Sequence, residues 1–63
     1  MKFKTKSGEI IDGQIIRNED DIKNIQRRGY FGKAPLKEGD ISVYLGSSDG
    51  GFAVYDKDEV ERV

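Results

Sequence analysis

The chain has 63 residues, 35% of them hydrophobic, with seven isoleucines and six aromatics, which provides for one modest core and a single domain spanning 1–63. Cysteine and histidine are both absent, excluding disulfides, thiolate sites, the commonest transition-metal ligand and the usual neutral-pH proton shuttle. Net charge is −1, yet residues 1–37 hold nine Lys/Arg against five Asp/Glu, and residues 38–63 hold two against seven, so the chain is bipolar along its length.

Met1-Lys2-Phe3-Lys4 has no apolar run behind it. Neither a signal peptide nor a membrane span is expected, and the cytoplasm is the expected compartment. Lys2, Lys4 and Lys6 alternate with Phe3 and Thr5, the period of a half-buried strand, and Ser7-Gly8 marks a hairpin turn. The return run Glu9 to Arg17 carries Ile10, Ile11, Ile15 and Ile16 around Asp12-Gly13, read as a bend in one long strand rather than a second tight turn.

Asn18 opens a short helix. Its side chain suits an N-cap, Glu19, Asp20 and Asp21 face the positive end of the dipole, and Arg27 and Arg28 the negative end. Gly29 is the expected left-handed stop, with Tyr30 folding back on Ile25 in a Schellman cap and Phe31 entering the core. Ile22 and Ile25 must dock on a sheet, because ten residues make a marginal isolated helix. Residues 30–40 read as a loop.

Ile41, Val43 and Leu45, then Phe52 and Val54 across Ser47-Ser48-Asp49-Gly50-Gly51, read as a second hairpin with one apolar face. Tyr44 and Tyr55 are expected together on the opposite face, as diagonal neighbours if Leu45 pairs with Phe52. Asp56 to Val63 reads as a short turn and a last strand residue or two. The expected class is β-rich α+β, two β-hairpins with one short helix between them. A small closed barrel is favoured, since closure removes exposed edges; the alternative is an open ββαββ sheet with the helix on one face.

Candidate chemistry is sparse. Ser7, Ser42, Ser47 and Ser48 have no His or Cys beside which to work, and Asp56 with Asp58 would need a cleft to become an acid–base pair. Asp56, Asp58 and Glu59 cannot complete a calcium loop before Val63, and Gly46 to Gly51 precedes a strand where a phosphate loop requires a helix. No cofactor or metal is therefore expected. Arg27-Arg28-Gly29-Tyr30-Phe31-Gly32-Lys33 interleaves cations with aromatics, as nucleic-acid surfaces do, although the same residues serve as a helix end. Lys2, Lys4 and Lys6 suit phosphates, or more simply the protection of an edge strand.

Lys2 to Arg17 with Gly39 to Val63 resembles the SH3-like small-barrel superfamily. The resemblance is carried above all by Gly51-Phe52-Ala53-Val54-Tyr55 followed by Asp58-Glu59-Val60-Glu61-Arg62-Val63. It implies a final strand, a short helical turn and a closing strand, in a module that binds peptides, nucleic acid or protein surfaces. Asp21 to Lys33 is locally similar to the N-terminal domain of archaeal tRNA-splicing endonucleases; the apolar helix that follows in that family and its catalytic domain have no counterpart here, so no nuclease activity is implied.

The expectation is a non-enzymatic protein-binding module: an adaptor, accessory subunit or inhibitor of a larger intracellular protein, of a size that fits a phage or mobile-element regulator. Tyr44, Tyr55 and Tyr30 are its candidate contact residues, because tyrosine offers large area at low entropy cost. Homo-oligomerisation is open. The alternative is nucleic-acid binding through Lys2, Lys4, Lys6, Arg27, Arg28 and Lys33, against which the sequence pI of about 5.3 counts.

Overall fold

Strand β1 (Lys2–Thr5) exposes Lys2 and Lys4 and buries Phe3, as its alternation predicts. The computed structural model describes residues 1–32, 35–46 and 51–63. Gly8 N–H donates to the Thr5 carbonyl and Thr5 N–H to the Glu9 carbonyl, both at 2.9 Å, closing the turn at Ser7-Gly8. The chain returns as β2 (Ile10–Asp12), antiparallel to β1, bends at Gly13, and continues as β3 (Gln14–Ile15) in a different sheet. A Cβ on Gly13 would stand 2.7 Å from Ile41 Cγ2 and 3.1 Å from the Ser42 carbonyl oxygen, so the close approach of the bent strand requires glycine.

Helix α1 (Glu19–Arg28) is capped as its sequence predicts. The Asn18 side chain accepts from Asp21 N–H at 3.0 Å, and the Asp21 carboxylate accepts from Arg17 N–H at 3.0 Å. Its far end departs from expectation. Gly29 donates to the Ile25 carbonyl at 2.9 Å but has φ +95° and ψ 148°, an extended exit rather than the left-handed turn of a Schellman cap. The chain therefore runs straight into strand β4 (Tyr30–Gly32), where a loop was expected.

Strands β5 (Ile41–Tyr44) and β6 (Phe52–Tyr55) form the second hairpin. A 3-10 turn, η1 (Lys57–Glu59), then leads into β7 (Val60–Arg62). The Asp56 carboxylate accepts from Asp58 N–H at 2.9 Å while that of Glu59 accepts from Asp56 N–H at 3.0 Å, a reciprocal cap that gives this acidic cluster a structural role. The order strand, helical turn, strand is the one the sequence suggested for the C-terminus.

The described strands form two sheets, β2-β1-β7 and β3-β5-β6-β4, linked through the bend at Gly13. The β-rich α+β class holds. The two hairpins do not share one open ββαββ sheet, and among the described residues the hydrogen bonding does not close the strands into a ring. Strand β4 pairs parallel to β6, Tyr30 with Phe52 and Phe31 with Ala53.

The four-stranded sheet is the middle layer, covered on both faces. On one side lie Ile16, Ile25, Leu36 and Val54 with Ile22, Tyr30 and Phe52 against them, which docks α1; on the other lie Phe3, Ile41 and Val60 with Ile11 and Tyr55, which docks the three-stranded sheet. The β5–β6 register pairs Ile41 with Tyr55, Ser42 with Val54, Val43 with Ala53 and Tyr44 with Phe52. This is one residue away from the expected pairing of Leu45 with Phe52, and it reverses the faces. Tyr44 lies on the helix side with Phe52 and Val54, and Tyr55 on the other side with Ile41 and Val43. The single apolar face expected of this hairpin is in fact two, one contributed by each strand.

Gly51 holds β4 against β6. It has φ +108°, an added Cβ would fall on the Gly29 carbonyl oxygen, and the next residue, Phe52, donates its N–H to that same oxygen at 3.1 Å. Gly8 also has positive φ, at +91°, but nothing lies within 4 Å of where its Cβ would be. Gly8→Ala should therefore cost only the backbone strain, about 1–2 kcal/mol, whereas Gly51→Ala adds a clash with fixed backbone and should cost more than that. Urea midpoints of the two variants check the ranking; an equal loss for both would show that the β4–β6 contact contributes nothing.

Candidate functional site

The sheet that contains β1 places the lysines first. Strand β1 is central, flanked by β2 and β7, so Lys2 and Lys4 do not guard an edge and the edge-protection reading is set aside. Lys2 stands opposite Asp12 and Lys4 opposite Glu61. Lys2 Nζ is 3.6 Å from the Asp12 carboxylate, and Lys4 and Lys6 border a hollow shared with Asp58, Glu59 and Glu61. Lys2, Lys4 and Lys6 thus lie beside carboxylates from both halves of the sequence, Asp12 from the first and Asp58, Glu59 and Glu61 from the second.

Among the three candidate tyrosines, two are structural in part. Tyr55 is half-buried against the cluster of Phe3, Ile41 and Val60, and Tyr30 against that of Ile16, Ile25, Leu36 and Val54. Tyr44 is 53% exposed. Its neighbour is Phe52 rather than Tyr55: the two rings have centroids 5.2 Å apart and are tilted by 51°, within the separation at which aromatic rings attract. The expected tyrosine pair is therefore corrected to Tyr44 with Phe52, on the face that carries α1.

That pair lines a groove of about 650 Å³ between the helix and the middle sheet. Asn24 and Arg28, four apart on α1, form one wall; Asp12 and Gln14, on either side of the Gly13 bend, form the other; Ser42, Tyr44 and Phe52 form the floor. A smaller hollow lined by Asp21, Asn24, Gln14, Ser42 and Phe52 extends it along the helix towards Ile25. The exposed aromatic area, three neutral hydrogen-bonding side chains, one cation and one carboxylate are the elements of a recognition site for an extended ligand.

Arg27 and Arg28 separate in role. Arg27 Nη2 donates to Asn24 Oδ1 at 3.0 Å, bracing the helix end, whereas Arg28 has no hydrogen bond or ion pair among the described residues. Ser42 Oγ donates to the Gln14 carbonyl at 3.4 Å rather than to a side-chain base. Among the described residues no group of three or more acidic side chains is placed to hold a metal ion. Lys33 and the Ser47 to Gly50 segment, candidates for nucleic-acid contact and for a phosphate loop, lie outside the described residues. No described helix is long and apolar enough to cross a membrane.

Several of these residues carry no signal in the sequence. Arg28 was legible as a cation of the last helical turn, whereas Asn24, one turn before it, carries no signal of its own. Gln14 and Ser42 join the groove only through the β3–β5 register, which pairs them directly. Phe31, expected in the core, is 60% exposed, because the parallel pairing turns it to the face opposite Tyr30, beyond the reach of the three-stranded sheet.

The Asp12 carboxyl is held below its ordinary value of 3.8 by a hydrogen bond from the Met1 ammonium, 3.2 Å away, and then by the charge on Lys2. A carboxyl whose pKa is depressed on folding stabilises the native state above its unfolded pKa, and that contribution is lost as pH falls through the folded value. Asp12→Asn should lower the urea midpoint at pH 7. The two proteins should converge as the pH is taken below the usual carboxylate range; a difference that persists there would assign Asp12 a role other than charge.

No family model, curated protein or solved structure matches the chain.

Proposed function

We propose that the domain is a non-enzymatic protein-binding module, an adaptor, accessory subunit or inhibitor, and that it takes a segment of its partner into the groove between α1 and the middle sheet. The observation that supports this reading is the exposed Tyr44 ring resting on half-buried Phe52 at the groove floor, bordered by Gln14, Asn24 and Ser42. An exposed ring held by a rigid sheet binds with little loss of side-chain entropy, and the neutral polar side chains of Gln14, Asn24 and Ser42 suit the amide groups of an extended peptide. The single strand bent across two sheets and the run β6–η1–β7 support an SH3-like arrangement as part of the same proposal. The cytoplasm is the proposed place of work, which the absence of cysteine does not contradict.

Nucleic acid fits this groove less well. A phosphate backbone is held by several cations, while the groove lining offers one arginine and a carboxylate. The lysines on β1 face Asp12 and Glu61.

Tyr44 and Tyr55 separate binding from stability. Tyr44→Ser removes one exposed ring and should cost about 1 kcal/mol of stability; Tyr55→Ser opens the core and should cost about 3 kcal/mol or more. In capture from the source lysate after nuclease treatment, the wild-type domain should retain a stoichiometric protein that Tyr44→Ser does not. Retention unchanged by Tyr44→Ser would remove the groove from the proposal, and loss of all captured material to nuclease would put nucleic acid in its place.

A further inference from the structure

The groove has a cation that pairs with no side chain among the described residues. Arg28 sits in the last turn of α1, on the wall facing Tyr44 and Phe52, and it has neither a hydrogen bond nor an ion pair among the described residues. Its neighbour Arg27 already serves the helix end by bonding Asn24. The opposite wall is different: Asp12 is engaged by Lys2 at 3.6 Å and by the Met1 ammonium at 3.2 Å. The cationic wall is thus open and the anionic wall is already matched, so charge complementarity calls for a negative group on the ligand and does not call for a positive one.

We infer that Arg28 makes this groove selective for an acidic peptide, an extended segment whose Asp or Glu side chain pairs with the guanidinium while an adjacent apolar side chain lies on Tyr44 and Phe52. The inference rests on the peptide reading of the groove and gives that reading its charge. A guanidinium fork matches a carboxylate in two parallel hydrogen bonds, which adds direction as well as attraction. The ligand's carboxylate is assigned to a side chain, because the groove continues along the helix past Asn24 to Asp21 and leaves room for chain beyond the anchor. A terminal carboxylate is usually taken by converging main-chain N–H groups, whereas the groups named here are side chains.

The test is selection from two random peptide libraries, one with the variable segment internal and one with a free C-terminus. Both are panned on the wild-type domain, Arg28→Glu and Arg28→Gln; the last keeps the helix end free of added negative charge, should Arg28→Glu fold poorly. The wild type should enrich Asp or Glu beside a large apolar residue from the internal library. Arg28→Glu should instead enrich Lys or Arg at that position, and Arg28→Gln should keep the apolar residue without a charge preference. A synthetic peptide of the wild-type consensus should bind the wild type at least about tenfold more tightly than Arg28→Gln. The same consensus selected by all three proteins, or enrichment confined to free C-termini, would overturn the role of Arg28 and leave the groove standing. No enrichment on the wild type, with or without Arg28-dependent binding of a thymidine oligonucleotide, would overturn the peptide groove itself.

Discussion

Everything in this domain depends on a sheet that is covered twice. Because β5 sends Ile41 and Val43 to one side and β6 sends Phe52 and Val54 to the other, the pairing of Tyr44 with Phe52 builds two apolar layers from eight residues. A slip of one residue would turn one strand over against the other, placing Tyr44 and Tyr55 on the same face and gathering Ile41, Val43, Phe52 and Val54 on the opposite one, so that only one of the two layers would be filled. For a chain of this length the arrangement is economical in residues: one hairpin anchors both the helix and the remaining strands, and Ile16, the most deeply buried large side chain at 1% exposure, closes the helix side.

The groove is the complement of that packing. Strand β5 gives its bulky aliphatic residues to the far side, so its near side offers Ser42 and Tyr44, which are too small or too polar to meet the helix. Helix α1 is anchored by only Ile22 and Ile25, and its flank from Asn24 to Arg28 stands beside the sheet without filling the space between. The recognition surface is therefore the part of the helix–sheet interface that two isoleucines do not close.

Local chemistry was legible in the sequence wherever it was short-range. The Ser7-Gly8 turn, the Asn18 cap, the bounds of the helix, the bend at Gly13 and the turn before β7 each follow from residues within a few positions of one another. The misread features are all non-local. Tyr30 to Gly32 becomes a strand only because β6 lies alongside, and the faces of Tyr44 and Tyr55 depend on a register that alternation leaves open when both sides are buried. The same limit governs the site: Tyr44 and Arg28 stood out as residue types, but their meeting with Phe52, Gln14 and Ser42 is a property of the sheet order. The charge asymmetry of the sequence misleads for the same reason, since β1 lies between β2 and β7 and its lysines meet carboxylates from both.

The neighbouring positions of β1 and β7 also fix how the molecule answers to force. The strands are antiparallel, and Val63 N–H donates to the Lys2 carbonyl at 3.0 Å, so the two ends of the described chain leave the same edge of the sheet side by side. Tension applied between them opens this ladder from that end, one rung after another, instead of loading all its hydrogen bonds in shear. The domain resists a pull between its ends poorly, and it gives way first at the β1–β7 seam, on the far side of the middle sheet from the groove.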